Sequence, residues 1–194
     1  MRRTPTAVVV LAGALALAGA AMASVPAPKL AVTSLKQLPT PLPYPYDDSA
    51  TPAQVDAQID AAFARARASG KRVVIDLGGN WCSWCRMLSA TMALPEAKPF
   101  IDQHFEVVDV EVTKVKGKND RNLQVLKRFH LSKVDGYPWV IVADADGKVL
   151  ASSYEITDDN HQTPQQMVDW LAKWAKQTPA AQNAANGSNQ RVAA

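Results

Sequence analysis

The chain has 194 residues, enough for one ordinary domain with flanking segments. Its 47% apolar and 20% charged residues are the composition of a soluble globular protein, and a formal net charge of +3 gives no argument for a nucleic-acid-binding surface. Two cysteines are too few for a disulfide scaffold and are half of what a four-thiolate zinc site needs, so the count favours a redox pair.

Residues 1–23 read as a cleaved signal peptide. Arg2 and Arg3 supply a positive start, Ala7 to Ala20 is a run of Ala, Val, Leu and Gly, and Ala21-Met22-Ala23 is a small-x-small cleavage site before Ser24. The run is near the lower limit for crossing a bilayer and is made of weakly hydrophobic residues. Export places the mature chain in an oxidising compartment, a bacterial periplasm. Residues 24–50 contain Pro26, Pro28, Pro39, Pro41, Pro43 and Pro45 and read as an extended linker. Tyr44 and Tyr46, set between those prolines, suit simple packing against the domain.

The domain itself is expected over 51–177. Thr51 is an N-cap, Pro52 suits the first helical position, and Val55, Ile59, Ala62, Phe63 and Ala66 recur at helical spacing until Gly70. Arg72 to Leu77 is a strand, apolar in succession and therefore buried on both faces. A Gly78-Gly79-Asn80 break follows, and Cys82 and Cys85 then head a helix running to Met92. Pro95 interrupts it, and a short helix resumes toward Gln103. Phe105 to Val112 is the second strand. Thr113 to Asn119 reads as a solvated loop carrying Lys114, Lys116 and Lys118. Asp120 to Phe129 reads as a helix with Leu123, Leu126 and Phe129 inward. Trp139 to Ala143, an Asp144-Ala145-Asp146-Gly147 turn and Lys148 to Tyr154 form a hairpin. Thr163-Pro164 opens a last helix with Met167, Val168, Trp170, Leu171 and Trp174, and residues 178–194 have the composition of a disordered tail. A βαβ unit joined to a hairpin predicts an α/β fold with a mixed central sheet of four to five strands and helices on both faces.

These residues resemble the thioredoxin superfamily over roughly 70–176. Trp81-Cys82-Ser83-Trp84-Cys85 matches the Trp-Cys-x-x-Cys site, and Asp76 stands where the family often buries a carboxylate beneath the second cysteine. Tyr137-Pro138 stands at the cis-proline loop, and Gly147 fits the turn after the next strand. The export signal and the Pro-rich lead resemble the periplasmic thioredoxin-like proteins. The chain departs from the family in its Ser83-Trp84 dipeptide and in lacking a counterpart of the lysine that often pairs with the carboxylate, since Asp109 and Glu111 lie near that place.

The resemblance implies a thiol–disulfide oxidoreductase without cofactor. Cys82, at a helix N-terminus that favours its thiolate, would attack a substrate disulfide, and Cys85 would resolve the mixed disulfide. Asp76 would accept the proton of Cys85. Trp81 would shield the site, an exposed Trp84 would contact substrate, and Tyr137 before Pro138 would offer backbone to an extended chain. Trp139, Trp170 and Trp174 belong to the core. Two alternatives use the same thiols or fold: a copper-binding chaperone, although His104, His130 and His161 are dispersed, and a client-binding module with secondary redox activity. Implied partners are protein thiols and disulfides and a membrane redox partner, with a monomeric chain and no nucleic acid.

Overall fold

The computed structural model describes residues 25–112, 121–157 and 163–176. The signal-like run, the lysine-bearing loop, His161 and the tail lie outside the described residues.

Helix α1 (Pro52–Ser69) starts on a capping box: Thr51 Oγ1 accepts the Gln54 N–H, and the Gln54 side chain accepts the Thr51 N–H. It ends at Gly70, whose φ of 76° suits a residue without a Cβ. Its buried face is Val55, Ile59, Ala62, Phe63 and Ala66. Strand β1 (Arg72–Gly78) follows and is buried beyond Arg72. Helices α2 (Ser83–Met92) and α3 (Lys98–His104) lead to β2 (Phe105–Glu111), which pairs parallel with β1. Strands β3 (Trp139–Ala143) and β4 (Val149–Ser153) add antiparallel, giving the order β2-β1-β3-β4. Helix α4 (Gln124–Arg128) lies between β2 and β3, and helix α5 (Pro164–Trp174) closes the domain on a second capping box from Thr163 and Gln166. The sheet is therefore mixed, with four strands among the described residues.

Alternation along β1 sorts its side chains between two cores. Val73, Ile75 and Leu77 pack with Ile59, Phe63 and Ile141 on the α1 face. Val74 packs with Leu88, Met92, Val140 and Leu171 on the face covered by α2 and α5. Asp76, two residues after Val74, is thereby aimed under α2.

Three expectations are corrected. Helix α4 is far shorter than the expected 120–129, because Asn122 takes a φ of 52° and its Nδ2 donates to the Glu111 carbonyl at 2.8 Å, which breaks any earlier turn. Its inward residues are Val125 and Phe129, with Leu126 half-buried at the edge and Leu123 not buried. The Pro-rich segment is no free linker. Val25 and Leu38 are buried in the α2-face core, the Leu30 N–H donates to Gln165 Oε1, and Gln165 Nε2 donates to the Pro28 carbonyl. Of the three core tryptophans expected, only Trp170 is fully buried. Trp174 is half-buried against it, and Trp139 is half-buried with its Nε1 donating to Ser152 Oγ at 2.8 Å.

Candidate active site

Strand β1 delivers the chain to a turn in which the Cys82 N–H donates to the Gly79 carbonyl at 3.0 Å. Cys82 is the N-cap of α2, and its Sγ accepts the Cys85 N–H at 3.1 Å. The unsatisfied N–H groups of a helix start favour negative charge, so a thiolate released at this sulfur meets a donor already in place. Cys85, one turn on, has no exposed surface, and the two cysteines are joined as a disulfide with Cα atoms 5.3 Å apart. Residue 78 must be small: a Cβ there would stand 2.7 Å from both Cys85 Sγ and Tyr46 Oη.

That close approach brings in Tyr46, for which the sequence suggests nothing beyond packing. Tyr46 is buried and donates its hydroxyl to Asp76 Oδ2 at 2.7 Å. Its backbone is held from both sides, the Tyr46 N–H donating to Asn80 Oδ1 at 3.2 Å and Asn80 Nδ2 donating to the Tyr46 carbonyl at 2.7 Å. Just upstream, Arg86 donates to the Pro43 and Leu42 carbonyls and lies 3.9 Å from the Tyr44 ring centroid. Asn80 and Arg86 bracket the dithiol in sequence, so the segment is fastened to the motif at both ends. Aromatic residues between prolines are the only sign of this in the sequence.

Asp76 is fully buried, and its register partner on β2 is Asp109. Burial and the Asp109 charge raise the Asp76 carboxyl well above the carboxylate range, opposed in part by the hydrogen bond from Tyr46. Burial pushes Asp109 up to about 6. The same burial, with Asp76 beside it, holds the Tyr46 phenol far above its ordinary range, so it stays a donor. Asp76 Oδ1 and Asp109 Oδ1 are buried without a hydrogen-bond partner.

On the rim, Trp81 is 47% exposed and meets Tyr137 edge to face, ring centroids 5.4 Å apart. The Tyr137–Pro138 peptide bond is cis, and Tyr137 packs against the cluster of Tyr46, Cys82 and Cys85. Trp84 is not exposed as expected. It is half-buried, wedged between that cluster and the α2-face core, and Ser83 is the exposed member of the dipeptide. The structure thus gathers Cys82, Cys85, Asp76, Trp81, Trp84 and Tyr137 around one point. Among the described residues, no group of three or more His, Cys, Asp or Glu is arranged to hold a metal ion. His104 instead donates from Nδ1 to the Lys176 carbonyl at 2.8 Å.

A sulfur pair at a helix start, its first member capping the helix and its second fully covered, can exchange a disulfide without any added group. A thiol–disulfide exchange domain is therefore the class defined by fold and site. The chain belongs to the thioredoxin-like family: the family model described as a thioredoxin-like domain matches residues 59–171. Among curated proteins it is similar to the disulfide bond reductase DsbH of Chlamydia pneumoniae, 30% identical over 76 residues that make up 38% of this chain and 46% of that protein. The chain thus matches less than half the length of that relative. Among solved structures it is similar to a disulphide isomerase from Xylella fastidiosa Temecula1, with 30% identity and a TM-score of 0.58 over 68% of this chain and 97% of that one.

Proposed function

We propose that the protein is an exported thiol–disulfide oxidoreductase that exchanges disulfides with protein substrates through Cys82 and Cys85. The observation that carries this reading is the asymmetry of the pair. Cys82 caps α2 and accepts an N–H at its sulfur, whereas Cys85 is sealed beneath it near the Tyr46 hydroxyl that donates to the buried Asp76. In the reducing direction the Cys82 thiolate attacks a substrate disulfide, forming a mixed disulfide and releasing one substrate thiol. Cys85 then gives its proton to Asp76, its sulfur attacks Cys82 Sγ, and the second substrate thiol leaves. Substrate is reduced by two electrons and the protein ends as the Cys82–Cys85 disulfide. Trp81 and Tyr137 form the apolar rim against which an extended substrate lies next to the loop at Pro138.

The reductive direction is supported by the likeness to a protein named as a disulfide bond reductase. In a periplasm that direction requires a partner, in or at the membrane, which returns electrons to the pair. The chain acts as a monomer in this reading. Two variants test the chemistry. Cys82→Ser abolishes insulin reduction, while Cys85→Ser accumulates mixed disulfides with client proteins that survive non-reducing electrophoresis. If Cys82→Ser retains wild-type reduction, the reading is wrong. Equilibration with glutathione tests direction: a reductant has a potential more negative than the glutathione couple, and a more positive one would make the protein an oxidant.

A further inference from the structure

A buried carboxyl and a buried phenol meet near Cys85, with a half-exposed second carboxyl on the next strand, and the phenol arrives from outside the βα framework. Asp76 and Asp109 are side by side on neighbouring parallel strands. Two like charges so close in an apolar layer cannot both form cheaply, so across neutral pH the pair holds one proton between its members. Which member ionises first depends on its exposure and on the bonds it can accept. Asp76 has the Tyr46 hydroxyl at 2.7 Å, a bond that favours the charged form. Each carboxyl leaves its Oδ1 without a partner, but Asp109 is half-exposed whereas Asp76 is fully buried. The half-exposed Asp109 is therefore the member that ionises first, and the Tyr46 bond lowers the cost of ionising Asp76, the carboxyl beneath the dithiol.

Asp109 also has a way out. It lines an open cleft of about 330 Å³ with Pro45, Asp47, Gln58 and Arg65. Pro45 is the residue before Tyr46, so the same segment forms one wall of the cleft and plugs the space behind it. The charged groups facing the pair are few: Asp47 from the segment and Arg65 from α1 both line the cleft, and Arg65 is engaged with Glu106 at 2.7 Å.

We propose that Tyr46, carried in by the Pro-rich segment, is a positioning residue for the resolving step: its hydroxyl fixes Asp76 below the dithiol and favours the ionised form that takes the Cys85 proton, with Asp109 linking the pair to the cleft. This rests on the reading of Cys85 as the resolving thiol and Asp76 as its base. In that step the ionised Asp76 takes the Cys85 proton, and the Asp109 carboxylate beside it accepts that proton and releases it to water in the cleft. The Cys85 sulfur bonds to Cys82 Sγ as the substrate sulfur departs with the electron pair of the broken bond.

The test uses the full reduced chain and 5,5′-dithiobis(2-nitrobenzoate) in a stopped-flow instrument across a pH series. The first thionitrobenzoate released reports attack by Cys82, and the second reports resolution by Cys85. The ratio of the two rates isolates the step at issue within each variant. Tyr46→Phe should raise the apparent pKa of the second release by about one unit and slow it about tenfold near neutrality, since Asp76 loses its donor. Asp109→Asn should move the same pKa down, because the neighbouring negative charge is gone. Opposite shifts are not what a loss of packing would give. If either variant keeps the wild-type profile while wild-type chain still reduces insulin, the inference falls and the oxidoreductase reading stands. If wild-type chain gives no release at all, the oxidoreductase reading fails first. Should Tyr46→Phe not fold, Asn80→Ala frees the Tyr46 backbone without touching the phenol. It carries the same upward expectation, and an unmoved profile there also overturns the proposal.

Discussion

A carboxyl whose proton affinity rises on folding stabilises the fold only while it stays protonated. Asp76 and Asp109 both have folded values raised above an unfolded value of about 3.9. Between those values the folded chain holds protons that the unfolded chain has released. Their contribution is therefore complete below about pH 4 and is lost as pH rises, through about 6 for Asp109 and higher for Asp76. Removing the charge of the deeper group should relieve that loss. Asp76→Asn is expected to raise unfolding free energy by roughly 1–3 kcal/mol at pH 7 and by little at pH 4, read from urea titrations at both values. The same variant should slow release from the mixed disulfide. A variant less stable at pH 7 than wild type would mean that Asp76 is held by favourable interactions outweighing its burial. Asp76 is legible in the sequence because burying a lone carboxyl in an apolar strand is costly, and its place six residues before Cys82 gives that cost a chemical use. The sequence marks Asp109 only as an acid near the place of a missing lysine. Its pairing with Asp76 depends on the register of strands about thirty residues apart, which local pattern does not carry.

At the scale of elements, what is legible is what local chemistry dictates. Thr51-Pro52 and Thr163-Pro164 announce the starts of α1 and α5, because a hydroxyl that accepts an orphan N–H acts within one turn. Thr163→Ala should lower the stability of the domain by about 1 kcal/mol, seen as a drop of a few degrees in the unfolding midpoint. Helical spacing overstates α4 because the left-handed turn at Asn122 is fixed by a bond to Glu111, a contact across the chain. The Pro-rich segment escapes local pattern for a related reason. Proline content says that a stretch is extended, not what it lies against. Its anchor is Arg86, whose guanidinium serves two carbonyls and the Tyr44 face together. Arg86→Ala should cost about 1–3 kcal/mol and open the chain near residues 40–46 to limited proteolysis. If that variant keeps its protease resistance, Asn80 and Tyr46 suffice to hold the segment.

For the whole molecule, the segment decides where water stops. The sheet has a core on each face, and the α1-face core is made largely of helix and strand residues. The α2-face core is different, since Val25 and Leu38 are buried members of it and Ala27, Leu30, Val32, Leu35 and Leu42 pack against it. Tyr46 then seals the space between that core and the disulfide. A chain beginning at residue 49 would keep all four strands and five helices but expose the apolar surface under the segment, about 25 cal/mol for each Å² uncovered. It should melt at a lower temperature than the full chain and bind a hydrophobic dye in its native state. It should also lose the pH dependence that the buried carboxyls confer. With water admitted beside Asp76 the desolvation that raises its carboxyl is relieved, so the fall in stability from pH 4 to pH 7 should flatten. Melting curves of the two chains across that range separate the possibilities. A truncated chain that is merely less stable, with the same pH slope, would mean the carboxyl pair is buried by the sheet alone. A flattened slope would mean the segment itself builds the dry space in which the dithiol meets its base.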